Sequence, residues 1–138
     1  MTRWAVDGAR WFLVMVFLAT AIGKLLDNRG FAEVLGQYRL FPAASLLPLG
    51  LFFSLVELAV AFGLAHGPTL RMAAAAAGLL MLGNAAVLAL TLARGIALEN
   101  CGCFGVFLAR PLAPWSPLED VALAGLAGLV LLGTRKPA

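Results

Sequence analysis

Residues 72–93 are 22 consecutive positions without a charged side chain, closed at either end by Arg71 and Arg94. As an α-helix rising 1.5 Å per residue, such a run spans about 30 Å, the thickness of a bilayer's hydrocarbon core. Backbone polar groups at that depth must be satisfied internally, which admits helices and closed barrels only. A second run, 46–65, is interrupted by Glu57 alone and carries Pro48 in its first turn, where proline is tolerated. Charged residues make up 12% of the chain against 62% hydrophobic, whereas soluble domains carry about 25% charged. A water-soluble globule and a disordered chain are both excluded.

Two further spans are less clear. The first covers 10–26, with 13 uncharged residues between Arg10 and Lys24, and reaches full length only if Lys24 snorkels or pairs internally. Arg3, Arg10 and the small residues Ala19-Thr20-Ala21 also imitate a signal peptide, but the segment is read as an uncleaved helix. The last span runs from Ser116-Pro117-Leu118-Glu119, which reads as a capping box with Ser116 as N-cap, to Gly133. The expected fold is an all-α, four-helix transmembrane bundle, one domain over 1–138. In the first loop, Phe31, Val34, Leu35 and Tyr38 recur at helical spacing, which predicts a short interfacial helix started at Asn28 and Gly30 and stopped at Phe41-Pro42.

Lysine and arginine set orientation. Arg3, Arg10, Arg71, Arg135 and Lys136 fall on one side; Lys24, Arg29, Arg39, Arg94 and Arg110 fall on the other, a tie. Because Lys24 and Arg94 abut helix ends and the second side also holds Asp27, Glu33, Glu99, Glu119 and Asp120, both termini are placed in the cytoplasm and the first and third loops outside. A net charge of +3 spread between apolar runs makes no basic face for nucleic acid.

The third loop, 94–115, carries Asn100-Cys101-Gly102-Cys103-Phe104-Gly105, followed by Pro111 and Pro114, and both cysteines of the chain lie there. Three chemistries are open to such a pair. It can cycle between dithiol and disulfide, since a ring closed over one residue is tight and readily reduced. It can bind a soft metal, although a closed zinc site wants four ligands and the single histidine, His66, lies in the loop on the opposite face. As a structural staple it constrains little, because the closed loop is so short. Arg94 or Arg110 favours the thiolate and Glu99 opposes it. One pair on one face is not a complete transmembrane relay, so a redox role needs a membrane-soluble acceptor such as a quinone or a partner thiol protein on the same face.

Charges inside membranes are costly and usually face a bundle interior. Glu57, about twelve residues into the second span, and Lys24, near the end of the first, are positioned to meet or to be bridged by water. Lys24, Tyr38 and Glu57 are the candidate quinone- or proton-linked site, next to the reading of the pair as a bundle staple. Asn84 and the alanine run 73–77 read as helix-packing features, and His66 as a turn residue.

Gly23-Lys24-Leu25-Leu26-Asp27, Phe31, Tyr38, Pro42, Glu57 and Cys101-Gly102-Cys103-Phe104-Gly105, set in four spans, together resemble the MauE branch of the DoxX-like membrane proteins. The resemblance implies a bacterial inner-membrane four-helix protein linked to redox processes. In some members these concern methylamine utilisation, where the family protein accompanies a thioredoxin-like periplasmic protein and supports disulfide formation in methylamine dehydrogenase. The architecture also looks like that of vitamin K epoxide reductase and quinone-linked disulfide oxidoreductase bundles, from which this chain departs in having no second cysteine pair and no CxxC. The reading is a periplasmic Cys101/Cys103 pair exchanging electrons with a thioredoxin-like partner or client thiol, with a quinone as acceptor near Lys24, Tyr38 and Glu57. A soft-metal carrier and a non-catalytic assembly subunit are the alternatives.

Overall fold

The computed structural model describes residues 3–96 and 113–134. Among them there are five α-helices and no strand: α1 Arg3–Leu26, α2 Asn28–Gln37, α3 Leu46–Ala65, α4 Leu70–Ala93 and α5 Ser116–Gly133. Single 3-10 turns, Ala43–Ser45 and Gly67–Thr69, lead into α3 and α4. Helices α1, α3, α4 and α5 are long and apolar enough to cross a membrane. α2 is the short helix expected in the first loop, and its predicted stripe of Phe31, Val34, Leu35 and Tyr38 is buried.

Local chemistry sets the boundaries. The Asp27 side chain caps α2 by accepting from the Gly30 N–H at 3.0 Å, a role the sequence reading gave to Asn28 and Gly30. α4 ends in a Schellman motif: the Gly95 N–H donates to the Leu92 carbonyl and the Ile96 N–H to the Thr91 carbonyl. Gly95 adopts φ +74°, a conformation glycine enters without steric cost. α1 starts at residue 3 rather than 10, because Val6 and Ala9 extend the buried stripe of Leu13 and Phe17 by two turns. The capping box at α5 does not form. Ser116 lies inside the helix, and its hydroxyl accepts from the Ala113 N–H instead of reaching forward to Glu119.

The four long helices close a ring in which α1 packs on α3 and α5, and α4 on the same two neighbours, while α2 lies across one end against α3. Consecutive long helices are antiparallel. At the end away from α2 the interior is tight: Leu13, Phe17, Leu64, Ala74, Ala77, Ala127 and Val130 interlock in one cluster. Small residues allow this closeness. The alanine run presents Ala73, Ala74 and Ala77 inward, and a Cβ at Gly63 would lie 2.8 Å from the Ala73 Cβ, so α3 and α4 nearly touch. A second cluster, Val34, Tyr38 and Leu88, seats α2 on the far end of α4. Outward-facing Trp4, Met15, Phe52, Phe62, Met72 and Leu79 are largely exposed, the apolar exterior that a lipid solvent favours.

Candidate functional site

Helical side chains lean toward the N-terminus of their own helix. In the antiparallel pair α1 and α3, Lys24 therefore leans into the bundle from above while Glu57 leans up toward it. The two meet: Lys24 Nζ lies 2.5 Å from Glu57 Oε1, with both side chains more than nine-tenths buried. The ammonium also stands 5.1 Å from the centroid of the Phe31 ring on α2, a cation–π contact. Glu57 Oε2 is buried and has no hydrogen-bond partner among the described residues. Such an atom is costly in a low-dielectric interior unless something fills its vacancy.

The pair stands between two cavities. A larger one, about 540 Å³, is walled by α1, α4 and α5, with Phe12, Val16, Met81 and Leu126 on its apolar sides. Its polar wall is made by Thr20, Lys24, Glu57, Asn84, Ser116, Glu119 and Asp120. A smaller one, about 100 Å³, lies under α2 and is lined by Phe31, Leu35, Tyr38, Phe41 and Phe53. Lys24, Glu57, Asn84 and Leu88 line both. The described chain leaves α4 at Ile96 and returns at Ala113, both at this end of the bundle. Here the Arg94 guanidinium donates to the Tyr38 carbonyl at 2.9 Å and the Arg39 carbonyl at 3.4 Å, tying the end of α4 to the end of α2.

A family model described as methylamine utilisation protein MauE matches residues 2–133. The chain belongs to the MauE family. Among curated MauE proteins, that of Paracoccus denitrificans is 35% identical over 133 residues, covering 96% of this chain and 70% of the relative. The Methylophilus methylotrophus protein is 33% identical over 126 residues, 86% of this chain and 63% of its own length. The Methylorubrum extorquens protein is 36% identical over 95 residues, 69% of this chain and 51% of its own length. The chain thus spans between about half and seven-tenths of the MauE relatives it matches. No solved structure matches it at comparable significance.

Of the residues singled out in this MauE-family sequence, Lys24, Glu57 and Tyr38 come together at the smaller cavity, and the first two also face the larger one. Cys101 and Cys103 lie outside the described residues, as do Glu99 and Arg110. Arg94, read from sequence as a group that favours the thiolate, is engaged with the backbone carbonyls of Tyr38 and Arg39, just past the end of α2. His66 serves as a turn residue between α3 and the following 3-10 segment, as expected.

Sequence reasoning missed Asp120 as a site residue, counting it only as a loop charge, and read Glu119 as a loop charge and the acidic member of the capping box. The structure places both in the first turns of α5, with Asp120 buried and facing the larger cavity. A signal was available. Asp120 shares a helical face with Leu123, Ala127 and Val130, so an acid stands on what is otherwise the core stripe of α5. Asn84, read as glue between helices, lines both cavities.

Proposed function

We propose that this MauE-family protein is a redox accessory of methylamine utilisation, resident in the bacterial inner membrane. Cys101 and Cys103 exchange electrons with a thioredoxin-like protein or client thiol on the periplasmic face, and a membrane quinone is the terminal acceptor. The chemistry balances. A client dithiol attacks the Cys101–Cys103 disulfide through a mixed disulfide and leaves oxidised, returning two thiols to this chain. Those two S–H bonds then break as the S–S bond re-forms, and the two electrons and two protons released make two O–H bonds on the quinone.

The observation that carries this reading is the position of the polar cavity wall. Lys24 and Glu57 stand at the same end of the bundle as Ile96 and Ala113, the residues that bracket the cysteine segment in sequence, so a quinone taken up there sits at the end of the bundle from which that segment departs. Tyr38 closes the α2 side of that wall. Orientation is supported by the pairing of Lys24: a lysine neutralised inside the bundle no longer counts in the loop tally. The tie then resolves toward Arg3, Arg10, Arg71, Arg135 and Lys136 on the cytoplasmic side.

Alkylation trapping in native membranes tests the proposal. The pair is expected to shift between alkylated and protected forms as oxidant and reductant are applied, and Cys103→Ser is expected to accumulate a mixed disulfide with a periplasmic protein. A pair that stays reduced under oxidant, with no mixed disulfide from either single-cysteine variant, overturns it. Metal that co-purifies and is lost on Cys101→Ser/Cys103→Ser points instead to the soft-metal carrier.

A further inference from the structure

The acceptor's site can be assigned more closely than to the neighbourhood of Lys24, Tyr38 and Glu57. The smaller cavity, where those three meet, holds about 100 Å³, below the roughly 300–1,000 Å³ usual for small-molecule sites. The larger cavity, at about 540 Å³, lies inside that range. Its rim includes the exposed residues Phe12 on α1 and Ala122 on α5, which gives it a sideways opening on the lipid-facing flank of the bundle. α1 and α5 meet at their other ends, where Gly133 is set against Val6, and the cavity separates them toward α2. A ligand arriving through that rim must be lipid-soluble.

At the cavity's inner wall, Glu57 is 6% exposed and Oε2 is an acceptor with no partner among the described residues. Lys24 is 4% exposed; its ammonium has three protons, of which the contact with Oε1 uses one. The wall therefore offers both an acceptor and a donor to a ligand whose head can be a hydroxyl in one redox state and a carbonyl in the other. The apolar part of the lining, with Val16, Phe17, Met81, Leu123 and Leu126, suits a flat apolar ring.

We propose that the larger cavity, and not the space beside Tyr38, receives the ring of a lipid-soluble quinone, its tail leaving past Phe12 and Ala122. Lys24 donates to the quinone carbonyl, and Glu57 Oε2 accepts from the quinol hydroxyl once two electrons and two protons have been added. Asn84, from α4, borders the same wall and fixes the ring's edge. This assignment rests on the redox reading above and deepens it.

The test uses the full chain in lipid nanodiscs and an azido-ubiquinone crosslinked by light, with labelled peptides mapped by mass spectrometry. Labelling is expected to saturate, to be displaced by excess decylubiquinone, and to map to α1, α4 and α5. Ala122→Trp, which places bulk at the rim from an exposed position, is expected to lower labelling about tenfold, equivalent to about 1.4 kcal/mol. Leu79→Trp, with the same bulk on the outward face of α4, leaves labelling intact and controls for folding, as does Val87→Trp, which fills the smaller cavity. Loss on Val87→Trp with retention on Ala122→Trp overturns the assignment, and so does labelling displaced by a fatty alcohol but not by decylubiquinone, which marks an acyl-chain pocket. Alkylation trapping of the native cysteine pair, run beside quinone labelling of the same protein, separates the two proposals. Undiminished quinone binding beside unreactive cysteines sinks the redox reading and keeps the site, whereas reactive cysteines with no saturable labelling do the reverse.

Discussion

The two halves of this bundle are built from the same four helices and are packed in opposite ways. Away from α2, Leu13, Leu64, Ala74, Ala77, Ala127 and Val130 close the interior, and Arg10 seals it by donating from Nε to the Leu64 carbonyl at 2.7 Å and from Nη2 to the Ala65 carbonyl at 3.0 Å. Toward α2 the corresponding positions are Lys24, Glu57, Asn84 and Asp120, and a cavity of about 540 Å³ replaces the core. The cations differ accordingly. Arg10 satisfies the carbonyls that the end of α3 leaves open, a capping task favoured by the helix dipole. Lys24 neutralises a carboxylate in the interior whose second oxygen has no partner among the described residues. The hollow begins directly at the close-packed core, since Phe17 and Met81 belong to that core and also line the cavity.

The largest effect expected from disturbing this contrast is in the hollow half. Glu57→Ala strands Lys24 as a lone buried cation, and the cost is expected to be about 3–5 kcal/mol, read as a lowered melting temperature in detergent. Replacing both partners, as Lys24→Met with Glu57→Leu, is expected to recover most of that stability while abolishing quinone labelling. If the double variant still binds quinone, the polar wall is a staple only. In the closed half, Arg10→Ala should cost about 1–3 kcal/mol through two charge-assisted hydrogen bonds, with no change in quinone labelling; a labelling change there would dissolve the distinction between the halves.

A smaller effect belongs to the lid. Arg94→Ala releases the carbonyls of Tyr38 and Arg39, and it is expected to speed amide exchange in α2 severalfold relative to α4. The smallest is a gain. Arg39 holds φ +56°, a left-handed conformation that costs a side-chain-bearing residue about 1 kcal/mol, so Arg39→Gly is expected to raise stability by up to that amount and to tighten α2.

The helices were legible because hydropathy over 20 residues is a property of the chain itself. The predicted span 46–65 coincides with α3, and 72–93 differs from α4 only at its start. The stripe of α2 was legible for the same reason, since Phe31, Val34, Leu35 and Tyr38 carry helical spacing in the letters alone. The Lys24–Glu57 meeting was half legible: two charges in neighbouring antiparallel spans invite a pair, but whether they touch or share a water depends on tilt and on side-chain lean. Asp120 was overlooked as a site residue because its charge was counted toward orientation, although a helix starting at Ser116 already puts it on the face of Leu123, Ala127 and Val130. Ser116 misled for a related reason. It has the right type and spacing for a cap, yet its hydroxyl turned back to Ala113 once the helix began one residue earlier.

The amino-acid order by itself determined that this chain lives in lipid, that it crosses four times, and that its few reactive groups are two neighbouring cysteines and a handful of intramembrane charges. Solvent transfer is a local quantity that sums along the chain, so it survives without coordinates. Only the tertiary structure decided which charges share a wall, that one Glu57 oxygen has no partner among the described residues, and that Tyr38 stands on the far side of the pair from the space large enough for a ligand. Those are relations between helices distant in sequence, fixed by how side chains of unequal size let the backbones approach, and no count along a single segment contains them.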